Sequence, residues 1–111
     1  MPVLLLAFLA GCGKDRSKET DAELGLNPQQ ASGRQIFQQH CATCHSAYTS
    51  TGDHGPGLNE LFRKQFLPSG LPANERFVRQ TILAGRGMMP PQGQSLTEQQ
   101  LDDVLAYLHT L

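Results

Sequence analysis

Cys41-Ala42-Thr43-Cys44-His45 is the stretch on which the reading of this 111-residue chain turns. It sets two thiols three residues apart with an imidazole directly after them. A helix-patterned segment lies before it, and the glycine-rich Gly52–Leu58 lies after it. A protein-only zinc site needs about four Cys, His or acidic ligands at matched spacing. Here a second Cys pair is missing, His54 offers one further ligand, and the third cysteine, Cys12, ends an apolar leader. A thioredoxin-type dithiol needs a βαβ context, and no segment of the chain has the alternating pattern of a strand.

The spacing is that of covalent haem c attachment, Cys-x-x-Cys-His. Two cysteines one helical turn apart face the same side, so their thiols can add to the two vinyl groups of one haem. The adjacent His45 then lies beside the porphyrin with Nε2 toward the iron. Composition fits a cofactor-filled core. Without its unlike N-terminal stretch the chain is left with about 80 residues, a marginal size for an all-protein core. Aromatic content is 6% and there is no Trp. The formal net charge of −1 excludes a globally basic nucleic-acid binder.

Working outward, Ser32 and Gln35 fit a capping box that would start a first helix running to Cys41–Cys44. Leu58–Phe66 predicts a short helix containing Leu58, Leu61 and Phe62. Asn74 is a good N-cap for a third helix with Phe77, Val78, Thr81 and Ile82 on one face, and Gly85 is placed to end it. Thr97 and Gln100 form another capping box. Leu101, Val104, Leu105, Leu108 and Leu111 follow at helical spacing. The fold class is therefore all-α, with a long loop between the last two helices.

With these pieces in order, the chain resembles the class I cytochrome c family. The resemblance rests on Gly33-x-x-x-Phe37 before the motif and Gly55-Pro56-Gly57-Leu58 after it. It continues in Leu83-Ala84-Gly85-Arg86-Gly87-Met88-Met89-Pro90 and in the amphipathic Val104-Leu105-Ala106-Tyr107-Leu108. It implies three to four helices wrapped around one covalent haem c, held through Cys41 and Cys44. It also implies His45 and a methionine as axial iron ligands, and a Pro56 carbonyl accepting from the second ring nitrogen of His45. Gly33 and Phe37 would meet Tyr107 and Leu108 where the terminal helices cross. Met89 is preferred over Met88 because Pro90 holds the residue before it extended; Met88 and His54 remain the alternatives.

The first residues add a destination. Pro2–Ala10 is an apolar run too short to cross a bilayer, and Leu9-Ala10-Gly11-Cys12 resembles a bacterial lipoprotein box. The expected organisation is a signal peptide over 1–11, a lipidated Cys12 with a flexible tether over 12–27, and the cytochrome c domain over 28–111. The protein would then be exported and membrane-anchored on the periplasmic side or cell surface. It would be a monomeric electron carrier, not an enzyme, serving redox proteins in transient contacts. Arg63, Lys64, Arg76, Arg79 and Arg86 would form either a steering rim near Met89 or an ordinary solvated surface. The alternatives are a haem-based gas sensor and a dedicated electron-delivery subunit of a periplasmic redox enzyme.

Overall fold

A computed structural model describes residues 15–111; the signal-peptide and Cys12 expectations lie outside the described residues. Three α-helices carry the fold: α1 (Pro28–His40), α2 (Glu75–Ala84) and α3 (Glu98–Leu108). Short 3-10 turns occur at Arg16–Lys18 and Leu61–Arg63. Among the described residues there is no strand, only isolated bridges that close loops.

Helix α1 starts earlier than the Ser32 signal predicts. Asn27 accepts from the Gln30 N–H, and the Gln30 side chain accepts from the Asn27 N–H, with Pro28 in the first turn. Proline is well suited to that place because the first-turn N–H has no helical partner. Ser32 does not act as a cap; its hydroxyl donates to Asp103 on α3 at 3.2 Å. The helix expected over Leu58–Phe66 contracts to the turn Leu61–Arg63. Glu60 ahead of it sits at φ 56, outside the right-handed helical region. The starts of α2 at Asn74 and of α3 at Thr97 with Gln100 are as predicted, and Gly85 ends α2 at φ 70. Helix α3 stops at Leu108, while Leu111 beyond it is still buried.

Helices α1 and α3 cross at Gly33, where an added Cβ would overlap the Asp103 carbonyl. That close approach brings the Phe37 and Tyr107 rings edge to face, 5.6 Å apart. Ile36, Val78, Ile82, Leu101, Val104, Leu105 and Leu108 complete the core around them. Burying each such side chain contributes about 1.5–3 kcal/mol. Arg79 ties α2 to α3 through Asp102 at 2.6 Å.

Residues 15–26, read from the sequence as part of a tether, run along the domain. Asp21 pairs with the buried Arg34 of α1 at 2.9 Å, and Leu26 packs on the core.

Candidate functional site

Cys41 and Cys44 lie in the turn that ends α1. Cys44 and His45 both donate backbone N–H groups to the Cys41 carbonyl, at 3.2 and 2.9 Å. This winding brings the two thiols and the imidazole into one turn. Burial pushes the Cys41 thiol up to about 11, so it is protonated at neutral pH.

The loop after the motif shapes the His45 ring. The Cys44 carbonyl accepts from the N–H groups of Asp53, His54 and Gly55. This folds the loop back over the histidine. Gly55 lies against the ring, where an added Cβ would sit 2.6 Å from Cε1. Pro56 then presents its carbonyl to His45 Nδ1 at 2.8 Å. The bond requires the proton on Nδ1, which leaves the Nε2 lone pair available to a metal. His54 is exposed in the same loop, and its backbone, not its ring, serves the fold.

The two methionines are separated by a tight hairpin turn. Arg86 and Met89 exchange backbone hydrogen bonds at 3.1 and 2.9 Å, with Gly87 at φ 57 as the first central residue. A positive φ there is the type II′ pattern. Met88, second in the turn, is 90% exposed, whereas Met89 packs against the core. The hairpin is held by the end of α2, where Gln92 and Gly93 donate to the carbonyls of Ile82 and Leu83.

Two cavities flank these elements. One, of about 280 Å³, is lined by Pro56, Gly57, Leu58, Leu61, Phe66 and Leu67 among others, and opens beside the His45 loop. Another, of about 350 Å³, is lined by Arg34, Phe37, Ala42, His45, Tyr48 and Asp53 among others. Neither cavity has the cysteines or Met89 in its wall, so neither by itself marks the site. Among the described residues no three His, Cys, Asp or Glu side chains converge on a shared point. Two thiols and an imidazole in one turn, with a thioether packed on the core, fit a haem, which supplies its own four nitrogens to the iron.

The steering rim is weaker than the sequence suggests. Arg79 is held by Asp102 and by Glu75 at 3.8 Å, and Arg63 lies 3.6 Å from Glu60. His109 is exposed but stacks on Phe62 with ring centroids 3.9 Å apart. Sequence reasoning missed the Tyr48 contact, in which the Tyr107 hydroxyl donates to the Tyr48 hydroxyl at 2.8 Å. No local pattern signals a pair so far apart in the chain.

The family described as cytochrome c oxidase, cbb3-type, subunit III matches residues 28–108. The chain belongs to this family of class I c-type cytochromes. Such a domain carries one covalent haem c, and its chemistry is haem-based electron transfer. The cbb3-type cytochrome c oxidase subunit FixP of Azorhizobium caulinodans is 35% identical over 78% of this chain and 29% of its own length. A cytochrome c6-like protein of Nostoc sp. is 33% identical over 68% of this chain and 65% of its own. Cytochrome c6 of Tetradesmus obliquus is 28% identical over 71% and 86%. The chain thus spans under a third of that FixP but most of that cytochrome c6. No solved structure matches it. No helix of the described residues is long and apolar enough to cross a membrane.

Proposed function

We propose that this cytochrome is a single-electron carrier in which Cys41 and Cys44 form the haem thioethers and His45 and Met89 are the axial ligands. The observation that carries the reading is the opposite fate of the two methionines, Met89 turned onto the core and Met88 into solvent. The haem, when bound, supplies a one-electron iron couple. The protein's part is to hold two ligands. Pro56 keeps the proton on His45 Nδ1, and the hairpin delivers a soft thioether, which favours the reduced metal. Were His45 and Met89 both to hold the iron, no coordination site would be left for a substrate, and the protein would act as a carrier and not as an enzyme.

Cys12, in its lipoprotein-like box, would be acylated after cleavage of residues 1–11. The exported domain would then be held at a membrane surface. It would work there as a monomer in transient contact with redox proteins. The subunit III family and the FixP relatives favour a second reading, delivery of electrons to one dedicated oxidase. A gas sensor would instead need Met89 to yield to carbon monoxide.

The test is an absorption spectrum of the oxidised holoprotein, wild type and Met89→Ala. Wild type should show the weak near-infrared sulfur-to-iron band, and Met89→Ala should lose it and gain carbon monoxide binding when reduced. A band that survives in Met89→Ala would falsify the assignment.

A further inference from the structure

The segment before α1 has the build of a strap, not of a tether. Asp15 caps the Arg16–Lys18 turn by accepting from the Ser17 N–H. Arg34, 8% exposed on α1, donates to Asp21 Oδ1 at 2.9 Å and to the Ser17 carbonyl at 3.0 Å. Burial works against the Arg34 charge, but the hydrogen bond to the Asp21 carboxylate offsets it, and the pKa is raised. Removing Asp21 would strand a buried charge, a strongly unfavourable state. The Arg16 guanidinium lies 5.2 Å from the Tyr48 ring centre, and Tyr48 is bonded to Tyr107 of the core. At its far end Leu26 packs on the core. The strap is thus fixed at both ends and in the middle.

What precedes it is short. Cys12 and Asp15 are three residues apart, at most about 10 Å of extended chain. A free tether over 12–27 would range on the order of 20 Å. We propose that the strap makes the Arg16–Lys18 end of the domain a foot that stands on the membrane to which Cys12 is anchored, holding the haem domain at a short, fixed height. This rests on the lipidation reading above. The occupant of the foot is the bilayer surface. The acyl chains provide the affinity, because Arg16 and Lys18 each lie 4.0 Å from an acid of the same turn, Glu19 and Asp15. Partners would then exchange electrons close to the membrane plane.

The test uses the full-length, lipidated holoprotein on phosphatidylcholine vesicles carrying a headgroup-labelled fluorescent lipid, whose emission the haem quenches by energy transfer. Mass spectrometry of Cys12 and vesicle flotation come first; an unacylated Cys12 removes the anchoring reading and the foot with it. Given acylation, wild type is compared with a variant carrying a Gly-Ser insert of about 20 residues between Lys14 and Asp15, with a reach of about 25 Å. Asp21→Ala, which frees the strap, is the second variant. Wild type should quench at least about twofold more per bound molecule than the insert, with Asp21→Ala between them, as the added reach lifts the domain. Equal quenching by wild type and the insert overturns the foot while leaving the anchor intact. Should Asp21→Ala fail to fold, the insert comparison alone decides.

Discussion

The two loops that deliver the proposed iron ligands are built differently. The His45 loop is closed on its own motif. Three successive N–H groups converge on the Cys44 carbonyl, Leu58 donates to Ser46 at 2.7 Å, and Pro56 reaches the ring eleven residues on. All of this lies within residues 44–58. The Met89 hairpin is also tight, but its position depends on the end of α2, through Ile82 and Leu83 accepting from Gln92 and Gly93. The first loop carries its geometry locally, while the second borrows it from a helix that must itself be packed. The His45 side should therefore be the rigid half of the site, and the Met89 side the half that yields first on heating or on ligand competition.

The largest test of this contrast is at Gly55. A Cβ there would sit 2.6 Å from Cε1 and 2.9 Å from Nδ1 of His45. Gly55→Ala should displace the ring, break the Pro56 bond and destabilise the holoprotein by about 2 kcal/mol, the scale of overpacking in a tight site. The reduction potential should shift as well, because the bond to Pro56 tunes the ligand. Denaturant titration with voltammetry checks both, and an unchanged potential would mean that the Pro56 bond does not orient His45.

A smaller effect is expected at Gly87. Gly87→Ala must keep a positive φ and should cost about 1 kcal/mol. The hairpin should loosen, lowering the temperature at which the near-infrared band disappears while global unfolding moves less. Loss of band and fold together would show that the two loops are not independent. The smallest effect belongs to Met88. Exposed at the tip of the turn, it should tolerate Ala within about 0.5 kcal/mol, with the band intact. Loss of the band in Met88→Ala would move the sulfur ligand to Met88.

These differences follow the line between what was legible in the sequence and what was not. The Cys41–His45 motif is local: five consecutive residues state the attachment chemistry, and the turn that presents them needs only the end of a helix. The caps at Asn74 and Thr97 are local too, since a side chain satisfying an N–H two or three residues on requires no distant partner. Ser32 carried the same local signal and misled. Asn27 with Pro28 competed for the cap, and Ser32 found Asp103 seventy-one residues away.

An all-helical cytochrome c domain, its attachment turn and a Met-Pro loop carrying the second proposed ligand could be read from residue order alone. That Met89 turns inward while Met88 does not, and that residues 15–26 pack along the domain, came with the tertiary structure. It also decided that Arg79 is held by Asp102 instead of standing free in a rim. The physical reason is range. A cap or a Cys-x-x-Cys-His turn is closed by neighbours along the chain. The burial of Arg34, the Tyr48–Tyr107 bond and the seat of the Met89 hairpin exist only once α1, α2 and α3 have packed.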